Sequence, residues 1–199
     1  MSHGLGAVAS LAAGTLLTVF AAGRGDPWLI VGTAVFGITL VTLYTASTLY
    51  HAVPDPRVKA RLKVFDHCAI FGLIAGTYTP FALGGVRGTW GWTLFGVIWG
   101  LAAAGIVLKL FFTGRFRVLS TAVYLGMGWL VVLAARPVVA ALPVGVLVLL
   151  AAGGVAYTAG TWFYHNRRVP FAHAIWHLFV LAGSAFHAVA VGALVMTVA

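Results

Sequence analysis

Apolar positions along this chain neither alternate with polar ones nor keep to one stripe at helical spacing. They run on for about twenty residues at a time and stop at proline, glycine and basic clusters. A helix needs roughly 20 apolar residues to cross about 30 Å of hydrocarbon. Seven such helices are predicted, at about 5–22, 28–52, 64–83, 90–110, 117–135, 142–164 and 171–196. The separators are "GRGDP", "VPDPRVKARLK", "GGVRG", "FTGRFR", "ARP" and "HNRRVP", all turn or breaker sequences. The seven runs use most of the 199 residues, so the expectation is an all-α membrane protein: one seven-helix transmembrane domain over 1–199, with no soluble module. The opening "MSHGLG" has no basic n-region and no obvious cleavage site, so the first run is expected to stay as a helix rather than leave as a signal peptide.

Composition agrees: 62% of residues are hydrophobic and 8% charged, a balance no soluble domain has. A net charge of +9 raises the question of nucleic acid, and the placement of the charges answers it. Arg57, Lys59, Arg61 and Lys63 lie between runs two and three. Lys109, Arg115 and Arg117 lie around the turn between runs four and five, and Arg167 and Arg168 between six and seven. The opposite side holds only Arg24, Arg87 and Arg136, nine cations against three. The positive-inside rule then predicts a cytoplasmic N-terminus and, after seven crossings, a C-terminus outside. The basic segments read as topology signals facing anionic lipid, and nucleic acid is excluded as a partner. The single cysteine, Cys68, excludes an intrachain disulfide and reads as a buried structural thiol.

Against this background the few polar residues within the runs stand out. Of the three acidic residues, Asp26 and Asp55 flank prolines, where turn chemistry accounts for them. Asp66, in "VFDHCAIFGLIAG", falls at the expected start of run three, and carboxylates in membrane segments are costly enough to mark function or a specific partner. Among seven histidines, His51 ends run two in "STLYH", and His173 and His177 open run seven in "FAHAIWHLFV". The predicted topology brings these three segments to one membrane depth. Ser47 and His51 are i, i+4 and share a helical face, as do His173 and His177.

Three imidazoles and one carboxylate at one level are the inventory of a catalytic zinc site. Such a site keeps three protein ligands plus a water, whose pKa the Zn2+ lowers. The expected ligands are His51, His173 and His177. Asp66 would hold or deprotonate the water, and Ser47 would hydrogen-bond the water or the substrate. The spacing lacks the Glu of H-E-x-x-H, so a base must come from elsewhere, and Asp66 is the one carboxylate within the runs. Taken singly, each histidine is better explained as a polar contact between helices; taken as a set at one depth, they favour a metal.

The other histidines are expected to play lesser parts. His3 is terminal and uninformative. His165 ends "YTAGTWFYH", which resembles "YTASTLYH" at 44–51 in a short internal match, and is a reserve ligand beside the basic Arg167 and Arg168. His187 lies ten residues beyond His177, about 15 Å along a helix, too far to share its metal. It is expected to bond within the bundle. His67 points about 100° away from Asp66, so one of the two should face away from the site.

Together these residues resemble the hemolysin III family, the bacterial branch of the progestin and adipoQ receptors that includes the adiponectin receptors. The carriers are S-x-x-x-H in "STLYH", Asp66 in "FDH", and "FAHAIWHLFVLAGSAFH" with His173 and His177. The match spans nearly the whole chain. The resemblance implies a multi-pass protein of the bacterial inner membrane, built as a seven-helix bundle with a cytoplasmic N-terminus. It implies an intramembrane Zn2+ near the cytoplasmic side, held by His51, His173 and His177 with Asp66 acting through water. It also suggests kinship with alkaline ceramidases. Expected partners are membrane lipids, with a lipid amide, ester or fatty acid as ligand; protein partners are left open. Three functions are weighed: a zinc-dependent hydrolase of a lipid amide or ester, a membrane-state or lipid sensor with structural zinc, and a pore-forming hemolysin.

Overall fold

The computed structural model describes residues 2–166 and 168–197, so Arg167, counted above among the basic residues, lies outside the described residues. Seven helices in it are long and apolar enough to cross a membrane. They are α1 (Ser2–Arg24), α2 (Pro27–Ala52), α3 (Pro56–Val86), α4 (Gly88–Phe112), α5 (Arg117–Ala141), α6 (Val144–His165) and α7 (Ala172–Thr197). Short turns join them, so successive helices run in opposite directions. Helix α2 packs on α1 and α3 and reaches α7, while α6 lies along α7. The result is an integral, multi-pass membrane architecture.

Asp26 and Asp55 turn out to be helix N-caps. Asp26 Oδ1 accepts from the Trp28 and Leu29 amides at 2.9 and 3.4 Å, with Pro27 in the first turn. Asp55 Oδ1 accepts from the Arg57 and Val58 amides, both at 2.9 Å, with Pro56 likewise. Each cap satisfies donors that the first turn leaves free, and proline loses nothing there. One expectation is corrected as a consequence. Helix α3 starts at Pro56, not near 64, and Arg57, Lys59, Arg61 and Lys63 are helical rather than loop. Lysine and arginine are good helix formers, so a basic run below a capped start extends the span. Asp66 therefore sits about three turns into α3, not at its beginning.

Two spans are irregular. Pro80 opens a π-helical stretch to Val86 at the end of α3, as expected where proline removes an N–H from the ladder. Helix α5 tightens to a 3-10 turn at Leu130–Ala134 and restarts at Ala135. That restart puts Pro137 in a first turn, where its missing N–H costs nothing, so the span continues to Ala141 instead of stopping before the proline.

Helices α1 and α2 meet at Gly14 and Gly37: a Cβ built on either would lie 2.8 Å from the other's Cα. Such close backbone approach is how helices pack in lipid, where small residues replace hydrophobic drive. At the α1–α2 turn Arg87 pairs with Asp26. Burial pulls the Asp26 carboxyl up, but the Trp28 amide, the Arg87 guanidinium and the Leu29 amide together hold it below the usual carboxylate value. Deep in the bundle, Tyr44 and Tyr157 both hydrogen-bond Ser184 Oγ, each at 2.7 Å. These are the tyrosines that head the two similar segments noted in the sequence, so the match has a shared structural use.

Candidate metal centre

His51 occupies the last turn of α2, and His173 and His177 the first two turns of α7. The three converge: one ring nitrogen from each lies within 4.8 Å of the others. Ring centroids are 4.9 Å apart for His51 and His173, 5.1 Å for His51 and His177, and 4.5 Å for His173 and His177. The Nε2 atoms of His51 and His173 face each other across 3.2 Å. Two nitrogens bonded to one tetrahedral ion at about 2.05 Å stand about 3.3 Å apart, so this pair has the separation of two ligands on a common metal. Neutral imidazole is also a preferred donor for a first-row transition ion. The residues present therefore fit a metal ion. His177 is 9% exposed, while His51 and His173 open toward the cavity described below.

Ser47, one turn before His51, is buried, and the Asp66 carboxyl on α3 lies in the neighbourhood of its hydroxyl. His3 Nδ1 meets the hydroxyl oxygen at 2.8 Å. A serine has one proton; if it goes to Asp66, His3 must supply its own from Nδ1, which fixes the His3 tautomer. Asp66 lies on the same cavity wall as the three histidines but outside the group of converging nitrogens. Ser47 and Asp66 thus line the cavity that the three histidines also line.

His3 corrects an expectation. It is buried at the start of α1, stacked on the His177 ring with centroids 3.8 Å apart and edge-on to Tyr44 at 5.0 Å. The signal was available: predicted topology put the N-terminus on the side where α2 ends and α7 begins.

His165 is not a ligand here; its Nε2 meets Thr121 Oγ1 at 3.0 Å, away from the triangle. His187 Nε2 donates to the Leu150 carbonyl at 3.2 Å, the bundle hydrogen bond expected of it. His67 Nδ1 donates to the Lys63 carbonyl of its own helix at 2.6 Å. Cys68 is half-buried and its thiol points toward the Ile106 carbonyl at 3.9 Å.

One cavity of about 920 Å³ connects these features. Near His51, Asp66 and His173 its wall is polar and basic; farther along, Leu73, Val138, Leu142 and Leu147 make it apolar. Its lining suits a molecule with one polar end and one hydrocarbon end.

Comparison with known proteins identifies the family. Residues 1–188 match the family model described as "Haemolysin-III related". The chain is 49% identical over 185 residues to "Hemolysin-3 homolog" of Bacillus subtilis (strain 168), covering 93% of this chain and 87% of that one. It is 45% identical over 185 residues to "Hemolysin-3" of Bacillus cereus, covering 93% and 84%. It is also 31% identical over 174 residues to human "Monocyte to macrophage differentiation factor", covering 81% and 69%. No solved structure matches the chain significantly.

Proposed function

The chain belongs to the haemolysin-III related family, and we propose that it is a zinc-dependent hydrolase of a lipid amide or ester. The observation that supports this reading is the triangle of His51, His173 and His177 opening onto a cavity with one polar and one apolar end. Those three imidazoles would hold Zn2+. Bound there, zinc supplies Lewis-acid polarisation and lowers the pKa of water.

The remaining chemistry falls to the chain's own side chains. Asp66 orients the attacking water and takes its proton. Ser47 donates to Asp66 and so aims it, and His3 holds Ser47 from behind through Nδ1. The apolar wall binds the acyl chain, leaving the amide or ester beside the histidines. The basic segments support reading this end of the bundle as the cytoplasmic one, with the N-terminus inside and the C-terminus outside.

The test is Asp66→Asn, which keeps size and hydrogen bonding and removes the base. It should retain zinc and lose lipid amidase or esterase activity by about 10²-fold or more. A second reading, a structural zinc in a lipid sensor, is favoured by one observation: His3 stacks on His177 and closes part of the triangle. That reading gains if the wild type holds zinc but hydrolyses no lipid amide or ester. The pore-forming reading has the names of the two Bacillus relatives behind it; a seven-helix bundle resident in the membrane gives it no support.

A further inference from the structure

Four cations line the polar end of the cavity: Lys63 on α3, Lys109 on α4, and Arg115 and Arg117 at the α4–α5 turn. They have little to neutralise them. The one salt bridge among the described residues is Arg87 with Asp26, and Asp55 is used as a cap. Asp66 forms no ion pair with any of the four.

Two of the four are withdrawn from the surface, Lys109 buried and Arg117 half-buried. Lys109 is 6% exposed, and its ammonium has one partner, the Ser120 hydroxyl. An ammonium brings three donors, so one hydroxyl leaves it under-satisfied. The Arg117 guanidinium is fixed over the Tyr164 ring, 4.1 Å from its centroid, and donates to the Tyr164 carbonyl. Its Nε is buried with no hydrogen-bond partner. Lys63 reaches over Gly114 toward the same turn. Arg117 is also within electrostatic range of His173.

Surface lysines and arginines ordinarily reach outward to water and lipid headgroups. Here a buried ammonium and a buried guanidinium N–H face a cavity beside other cations. Burying like charges without an anion is costly. A tetrahedral oxyanion would meet both demands, because it offers several acceptors to donors arriving from different helices.

We propose that Lys63, Lys109, Arg115 and Arg117 form a phosphate subsite, so that the cavity takes a lipid with a phosphate headgroup and its hydrocarbon chain along the apolar wall. This rests on the reading of the cavity as a lipid-substrate site and names the class of lipid. The phosphate would lie near the histidine triangle, so the bond to be cleaved sits between headgroup and chain. Neutral lipid amides are then poorer occupants than phosphate-bearing esters or amides.

The test is binding to the full-length protein in uncharged detergent micelles, with protein-free micelles subtracted. The probes are hexadecyl phosphate, hexadecanol and inorganic phosphate. Hexadecyl phosphate should bind at least about tenfold more tightly than hexadecanol. In the double variant Lys109→Met with Arg117→Gln that preference should vanish while hexadecanol affinity stays. Inorganic phosphate that competes at millimolar concentration marks a site able to take the free ion, and failure to compete marks one that needs the lipid chain; either is compatible with the subsite if the alkyl phosphate preference is present. Equal affinity for the two alkyl probes in the wild type overturns the proposal. So does a preference that survives in the variant, or one abolished by chelation alone, which would put the phosphate on the metal. If the double variant binds neither alkyl probe, Arg115→Gln at the exposed turn decides: a preference reduced about threefold or more supports the subsite, and an unchanged one overturns it. Binding is read without turnover, so absence of hydrolase activity leaves this test standing, and a missing phosphate preference leaves the zinc reading standing.

Discussion

His51 and His173, 122 residues apart in sequence, place their Nε2 atoms 3.2 Å from each other. They come from the last turn of α2 and the first turn of α7, two helices that otherwise touch sparingly. A direct bond between two neutral imidazoles needs one ring to present N–H and the other a lone pair. A shared metal lets both rings present lone pairs and adds the His177 nitrogen as a third. A metal at this point would clamp α2 to α7 at one end of the bundle.

His177→Ala and His173→Ala should each remove the metal, while His187→Ala and His165→Ala should leave it in place. His187 is committed to the Leu150 carbonyl and His165 to Thr121. Metal analysis of the four purified variants checks this. Depletion in His187→Ala equal to that in His177→Ala would refute the ligand assignment. Chelation should also lower the wild-type melting temperature, because the clamp between α2 and α7 is lost.

His3→Ala should keep the metal but destabilise the protein by about 1 kcal/mol, the usual net value of a buried hydrogen bond. Ser47→Ala should cost a similar amount. A double-mutant cycle between them, read by thermal unfolding in detergent, should show coupling on the order of 1 kcal/mol. Additive losses would mean that the 2.8 Å contact between His3 and Ser47 carries no energy.

The bonds to Ser184 give an internal ranking. Tyr44→Phe removes one donor, yet the Ser184 hydroxyl keeps Tyr157, so the cost should be about 1 kcal/mol. Ser184→Ala leaves two buried phenols short of a partner, although Tyr44 still has the Val180 carbonyl at 3.3 Å. Its cost should be larger, about 1–3 kcal/mol. Unfolding measurements that reverse this order would contradict the shared bond.

The spans were legible because the bilayer demands about twenty apolar residues and little in the chain competes with that pattern. The histidine triangle was legible because topology and i, i+4 spacing fix both depth and face. The start of α3 was not, since a basic run looks like a loop until Asp55 and Pro56 are recognised as a helix cap. His3 is not marked by any local pattern; topology puts the N-terminus at the right end of the bundle, and the packing of α1 on α2, closest at Gly14 and Gly37, brings the ring to Ser47. The cavity could not be read at all, because periodicity reports which residues are apolar and not where helices stand apart.

Asp26 supplies a pH test at the opposite end of the bundle. Its folded-state pKa is held below the ordinary carboxylate value. Its stabilisation is therefore complete above about pH 4, the unfolded value, and is lost as pH falls through the lower folded value. Asp26→Asn should lower the melting temperature at neutral pH, and the gap to wild type should narrow only below about pH 4. A gap that narrows instead as pH rises would contradict the capping and ion-pair account.

The most direct measurement is the zinc content of the purified protein, wild type beside His51→Ala, after reconstitution with zinc and removal of loosely held metal. The account predicts about one zinc per chain in the wild type, held by three neutral imidazoles, and near none in His51→Ala. A wild type that retains no zinc, or a His51→Ala variant that retains as much as the wild type, would contradict it.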